Sequence, residues 1–184
     1  DGKGIDVSRL RDKAIAAGEE KFTNEVVKKF ASDPEARFGC KGKDTYWFGY
    51  KRHVSVDMRH GLINKTAVTP ANVPDHKAVK HICPKQGAVF GDKGYSPKSS
   101  QAEIRKRGCH SGILLKKNMR GKNQDKDRWL TKVRMPYEGT FSKMRKKTRY
   151  KGIVKNQLEG FLEALAFNLK RLIRIDAPPL HLTS

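Results

Sequence analysis

Gly87-Ala88-Val89-Phe90-Gly91-Asp92-Lys93-Gly94-Tyr95 is the stretch on which the reading of this chain turns. Ala88-Val89-Phe90 has the length of a buried strand, and the glycines behind it mark where that strand stops. Asp92 then stands at a strand's C-terminal end, the edge at which open α/β sheets bind ligands and do chemistry. A surface turn in which Asp92 only caps its own backbone accounts for the same residues. The flanking sequence has to decide between the two.

Upstream, residues 46–57 (YWFGYKRHVSVD) are aromatic and β-branched, residues 58–61 (MRHG) are a turn, and residues 62–69 (LINKTAVT) return to Pro70. This is a hairpin pattern. Asp75 is a plausible N-cap for a helix through Ile82, with Val79 and Ile82 facing inward. Residues 7–30 read as helical, with apolar patches at Leu10, Ala14 and Ala17 and at Val26, Val27 and Phe30. Residues 37–45 read as a Gly- and Lys-rich loop. Downstream, Ser99 or Ser100 caps a helix over 101–107 that Gly108 ends, residues 111–115 (SGILL) form a strand, and residues 116–128 form a mobile polar loop. A helix follows from about Met135. Val154, Leu158, Phe161, Leu162, Leu165, Leu169 and Leu172 then make an apolar stripe at helical spacing, read as core. Hairpin strands followed by helix-separated strands give an α/β fold: a mixed sheet with helices on both faces. The expected division is a helical segment and loop at 1–45, an α/β core at 46–175 and a tail at 176–184.

Lys and Arg number 40 against 19 Asp and Glu, a formal net charge of +21 in 184 residues. Such an excess points to a polyanionic partner. The sequence has neither an apolar run of transmembrane length nor a signal-peptide pattern, which favours nucleic acid over a membrane. Three widely spaced cysteines, Cys40, Cys83 and Cys109, fit reduced thiols in a cytoplasmic protein. A zinc site from His81, Cys83, Cys109 and His110 is disfavoured by the lack of a C-x2-C pair.

A second carboxylate stands out at Glu138. Pro136 is acceptable in the first turn of a helix but not in its interior, so the helix is expected to begin near Met135 with Glu138 in its first turn. There the helix dipole would favour the ionised form. Two carboxylates from different elements in a basic chain suit phosphoryl transfer on nucleic acid. Hard oxygen ligands hold Mg²⁺, and two ions about 3.5–4 Å apart serve the attacking and leaving oxygens. No G-x-S-x-G or G-x-x-x-x-G-K-[ST] motif competes. The basic run Lys143, Arg145, Lys146, Lys147, Arg149 and Lys151 reads as a DNA track rather than a merely solvated face. Trp129, behind a charged loop, is a candidate for stacking on a base, whereas Trp47 and Tyr50 read as core.

Taken in order, FGYKRHVSVD, GLINKTAVTPANVPDH, GAVFGDKGY, RMPYEGTFSKMRKKTRYKG and LEALAFNLKRL resemble the catalytic region of bacterial insertion-sequence DDE transposases, over roughly Asn24 to Leu172. The resemblance implies a ribonuclease-H-like fold, a triad of acidic residues and two divalent ions, Mg²⁺ or Mn²⁺. It also implies a bacterial cytoplasmic location, a homodimer, and DNA partners, both transposon ends and target. By motif, Asp92 matches the second Asp of the triad and Glu138 its last acidic member. Arg134 and Arg145 match the basic residues spaced around that Glu, in R-x3-E-x6-K/R. The family's Tyr ahead of the Arg is replaced by Thr131. The first Asp is expected either upstream of this chain or at Asp1, because residues 1–6 (DGKGID) are too polar and Gly-rich for a buried strand. An incomplete sheet should then leave an unpaired edge on the hairpin strand 46–57, and the chain alone is expected to cleave poorly. Asp57, on the second strand, reads as a turn residue. The rival reading is a basic nucleic-acid-binding protein without catalysis, such as a decayed transposase.

Overall fold

A computed structural model describes residues 2–7, 31–41 and 45–176. Their elements are strands β1 (Gly2–Val7), β2 (Arg37–Lys41), β3 (Thr45–Val56), β4 (Ile63–Pro70), β5 (Ala88–Gly91), β6 (His110–Ile113) and β7 (Lys147–Thr148). The helices are α1 (Val79–Ile82), α2 (Lys98–Lys106), α3 (Gln124–Glu138) and α4 (Ile153–Asp176), with single 3-10 turns at 75–78, 93–95 and 141–143. The arrangement is mixed α/β. The helical reading of residues 8–30 lies outside the described residues.

The long strand β3 organises the larger sheet. One of its edges carries β4 along Tyr50–Val56 and, further back, β2 along Thr45–Gly49. The other carries β1, antiparallel, from Gly2 opposite His53 to Asp6 opposite Gly49. β1 in turn pairs in parallel with β7. The expectation that residues 1–6 were too polar for a strand is therefore corrected. With a ladder on both edges, the backbone hydrogen bonds and the neighbouring strands outweigh weak β-propensity. Beyond His53, Val54–Val56 have no ladder partner on the β1 edge among the described residues. β5 and β6 pair with each other, in parallel, as a separate small sheet. Ala88–Phe90, expected to form a buried strand, are half-buried or exposed, and among the described residues β5 pairs on one edge only.

Other expectations shift for local reasons. Residues 37–41 are a strand rather than loop, since Phe38 stacks on Phe48 across the β2–β3 ladder with ring centroids 5.0 Å apart. Asp75 lies in the first turn of the 3-10 segment, not at its cap, which is Pro74. α2 starts directly after Pro97, so Ser99 and Ser100 are inside it.

The largest departure is α4. Its polar face docks on β4, and its leucines face outward. Gln157 accepts from Val68 N at 2.8 Å and donates to Thr66 O at 3.0 Å. Asn168 accepts from Ile63 N at 2.7 Å and donates to Ile63 O at 2.9 Å. Eleven helical residues at about 1.5 Å per residue and five strand residues at about 3.3 Å cover nearly the same length. The two carboxamides can thus cap the free edge of β4, which would otherwise invite another strand. Gly160 lies against the sheet, where a Cβ would stand 3.4 Å from both Arg52 Nε and Thr66 Oγ1, an ordinary contact distance.

Three buried clusters hold the layers together. Phe48, Tyr50 and Val68 centre the first, Val79, Ile104 and Ile113 the second, and Val54, Ile63 and Met144 the third. Tyr50 is buried as expected, while Trp47 is half-buried and donates from Nε1 to Tyr50 O at 3.1 Å. Cys83 and Cys109 pack in the second cluster, where burial pushes the Cys83 thiol up to about 11.

His53 sits on β3 fully buried, its Nε2 2.9 Å from Thr69 Oγ1. Burial lowers its pKa to about 3. The unfolded chain, with an ordinary imidazole near 6.5, takes up the proton first. Stability should therefore fall as pH drops below about 6.5 and level off near the folded value. His53→Gln should flatten that limb in a plot of melting temperature against pH.

Candidate active site

β5 ends at Gly91, and Asp92 follows in extended conformation. Its Oδ1 accepts from Gly94 N at 2.8 Å, so Asp92 caps the 3-10 turn at 93–95 while standing at the strand's C-terminal end. Both readings of that stretch meet in one residue. Gly94 keeps the space open: a Cβ there would lie 3.0 Å from Asp92 Oδ1 and 3.3 Å from Asp75 Oδ2. Two carboxylates thus face one glycine. Asp75 is also paired with Lys51 Nζ at 2.8 Å. Its neighbourhood with Asp92 was not foreseen from the sequence, where the only signal was its place in VPDH, read as a helix cap.

Tyr95 closes the floor. It is 3% exposed, and its hydroxyl has no hydrogen-bond partner among the described residues. Burial, then the negative charges of Asp75 and Asp92, hold that phenol well above its usual range; Arg134 acts in the opposite sense.

Glu138 arrives from the other side. Contrary to expectation, α3 begins at residue 124, capped by Asn123 Oδ1 accepting from Lys126 N at 3.0 Å. The polar run read as loop through residue 128 therefore supplies the first turn of a 15-residue helix. Asp125 and Asp127 complement its N-terminal dipole. Pro136 lies inside the helix, and Glu138 is its last residue rather than a first-turn one. At a C-terminus the dipole opposes a carboxylate, and Arg134 offsets this: its Nη2 is 3.2 Å from Glu138 Oε1. The Thr131 hydroxyl bonds within the helix, to Asp127 O at 2.7 Å. Tyr137 donates to Met58 O, tying α3 to the β3–β4 turn.

Arg134 and Glu138 line one wall of an open groove. Val54–Val56 of β3 form another, and Gly91 and Tyr95, on either side of Asp92 in the chain, complete it. Among the described residues, no three His, Cys, Asp or Glu side chains gather as a metal cage. Asp92 and Glu138 each use one carboxylate oxygen in the hydrogen bonds above. Their donor chemistry fits a hard divalent cation.

The basic residues spread over the segment from the 3-10 turn at 141–143 to the start of α4. Lys143, Arg145, Lys146, Lys147 and Arg149 are exposed, and Lys151 is half-buried. Arg145 is not beside Glu138; its Nε lies 3.9 Å from Glu163 Oε1 on α4. Trp129 is 56% exposed and meets Phe90 of β5 edge-on, 5.9 Å between centroids. Asp57 is a turn residue, accepting from His60 N at 2.7 Å, and that bond holds its carboxyl below the usual range. No helix among the described residues is long and apolar enough to cross a membrane.

Comparison with known proteins follows the same lines. The family model described as a transposase DDE domain matches residues 25–169. The chain is 29% identical over 161 residues to the transposase for insertion sequence element IS1106 of Neisseria meningitidis serogroup B. That match covers 80% of this chain and 55% of the relative, so the chain spans about half the relative's length. No solved structure matches significantly.

Proposed function

The chain belongs to the transposase DDE domain family, and on that footing we propose that it is a ribonuclease-H-like catalytic domain that cuts transposon-end DNA and joins it to target DNA. The observation that supports this reading is a groove lined by Glu138 and Arg134 and by Gly91 and Tyr95, chain neighbours of Asp92. A protein that only binds DNA has no evident use for a carboxylate held in such a groove in a chain of charge +21.

Asp92 and Glu138 would hold Mg²⁺ or Mn²⁺, two ions when the site is complete. Bound there, the ions supply Lewis acidity and an activated water or 3′-hydroxyl for in-line attack on a phosphodiester. The protein's own part is positioning. Gly94 N–H fixes the rotamer of Asp92, and Arg134 holds Glu138 toward the groove. Asp1, the position in this chain at which the resemblance could put the first Asp, lies outside the described residues. Two copies acting together on paired ends, in the bacterial cytoplasm, complete the proposal.

The test is nicking of supercoiled plasmid in Mg²⁺ or Mn²⁺, by this chain and by a longer version carrying residues upstream of Asp1. Nicking by either, abolished by Asp92→Asn, supports the reading. DNA binding by both without nicking in either ion would leave the rival, a binding protein without catalysis.

The exposed basic segment gives a separate expectation. Replacing Lys146, Lys147 and Arg149 together by Ala should flatten the slope of log K against log salt. The change should reach about 0.9 for each phosphate that is no longer neutralised. The check is fluorescence anisotropy on a duplex at several salt concentrations. An unchanged slope would remove this segment from the DNA track.

A further inference from the structure

Asp75 is a carboxylate that the pairing of Asp92 with Glu138 leaves unused. It stands half-buried in the 3-10 turn that follows β4. Lys51 Nζ meets its Oδ1 at 2.8 Å, and Gly94 N donates to Asp92 Oδ1 at 2.8 Å, so each carboxylate is fixed at one oxygen and keeps the other. Between the two lies a space the size of a methyl group. A Cβ on Gly94 would stand 3.0 Å from Asp92 Oδ1 and 3.3 Å from Asp75 Oδ2, closer than side chains ordinarily pack. Gly94 is not among the glycines with positive φ, so its backbone suits other residues as well; what the missing side chain provides is room. Tyr95 adds an independent observation. It is 3% exposed and its hydroxyl has no hydrogen-bond partner among the described residues. Burial, then the charges of Asp75 and Asp92, keep the proton on that phenol, so a buried neutral donor lies within the field of both carboxylates. Buried donors are seldom left without an acceptor, and this one suits the water of a hydrated ion.

We propose that Asp75 and Asp92 together hold one hard divalent cation above Gly94, with the Tyr95 hydroxyl bonding to a water that the ion carries. The proposal rests on Asp92 as a metal ligand and adds Asp75, a residue outside the D, D, E pattern, as its partner. Two carboxylates that face one point repel each other unless a proton or a cation stands between them. Lys51 offsets part of that repulsion from the Oδ1 side of Asp75 and leaves Oδ2, the oxygen nearer Gly94, to an ion. Carboxylate oxygens with retained water are the ligand set of Mg²⁺ or Mn²⁺. Both side chains are half-buried, so an ion enters from solvent while Lys51 and Gly94 N–H keep the pair in place. In a chain of charge +21 the overall field repels divalent cations, so any that binds does so at a local acidic site. Asp75 thereby gives the ion at Asp92 a second carboxylate from within the described residues.

Binding of Mn²⁺ to the 184-residue chain tests this without DNA. The free-ion electron paramagnetic resonance signal is followed up to about 10 mM Mn²⁺, well beyond the weak end of carboxylate sites at roughly 1 mM. Asp75→Asn keeps an oxygen for Lys51, and Gly94→Ala keeps both charges, yet each should raise the Mn²⁺ dissociation constant at least about tenfold. Lys51→Met removes a cation from the site and should leave that constant unchanged or lower it. Circular dichroism and metal-free melting temperatures establish that each variant folds; should Asp75→Asn not fold, Gly94→Ala decides. Asp92→Asn should weaken binding as well. Loss of affinity in Asp92→Asn but in neither Asp75→Asn nor Gly94→Ala would overturn Asp75 as a ligand and leave Asp92 in its catalytic role. Unchanged binding in all three would overturn the shared site and remove Asp92 as a ligand too. A parent chain that binds no Mn²⁺ saturably would overturn the shared site. An affinity lowered by Lys51→Met as far as by Asp75→Asn would reduce Asp75 to a structural partner of Lys51.

Discussion

Asp92→Asn should slow metal-dependent DNA cleavage by roughly a thousandfold or more, about 4 kcal/mol in the barrier, while duplex affinity changes by less than about threefold. The two effects separate because they rest on different groups. Asn keeps a side-chain oxygen to accept from Gly94 N, so the 3-10 turn behind β5 stays capped. It loses the negative charge that a hard cation requires. Glu138→Gln should behave alike, since its amide oxygen still faces Arg134. DNA affinity rests on Lys and Arg neutralising phosphates, and neither substitution touches those. Arg134→Ala is the informative control. Its side chain is largely buried and pairs with the exposed Glu138 at 3.2 Å. Its loss should free the Glu138 side chain and cost less than removing the carboxylate itself. Single-turnover cleavage assays beside anisotropy titrations read both quantities. Cleavage that survives Asp92→Asn at near the original rate would remove Asp92 from the site.

The legible part of this fold was local. The β3–β4 hairpin, the strand leading into Asp92 and the helix at 153–176 all carry strong periodicity or turn chemistry, and each stands where its pattern put it. The misread parts depended on partners distant in sequence. Residues 2–7 carry little strand propensity and become a strand through ladders to β3 and β7. The leucines of α4 read as core because a hydrophobic stripe shows only that a face seeks cover, not where the cover lies. It took the carboxamides of Gln157 and Asn168, meeting an edge strand 89 and 105 residues away, to send that stripe outward. Glu138 was singled out as a metal-binding carboxylate on a mistaken premise, and it lines the groove for a different reason. Pro136 suggested a helix start, whereas the helix is already well advanced there and the proline sits near its end. Asp75 was invisible as a neighbour of Asp92 because only the folded chain brings both to Gly94.

Glu163→Ala should destabilise the fold by about 3–5 kcal/mol, lowering the melting temperature by roughly 10 °C for a chain of this size. Glu163 is on the docked side of α4, and its carboxylate pairs with Arg52 of β3. Arg52 is 1% exposed, and its Nε has no partner among the described residues, so the guanidinium already sits with incomplete compensation. Removing Glu163 leaves a buried cation without its counter-charge, which costs far more than the pair itself contributes. Arg52→Met together with Glu163→Met removes both charges and fills the space with apolar atoms. That double variant should recover most of the loss, and thermal melts of the parent, the two single variants and the double variant close the cycle. The same carboxylate lies 3.9 Å from Arg145 Nε, while Arg145 itself stays 71% exposed. In the double variant Arg145 is released and still charged, so DNA affinity should be held or rise slightly as stability returns. A double variant no more stable than Glu163→Ala would show that the docking of α4 depends on the ion pair itself. The carboxamide hydrogen bonds to β4 would then be insufficient to hold the helix.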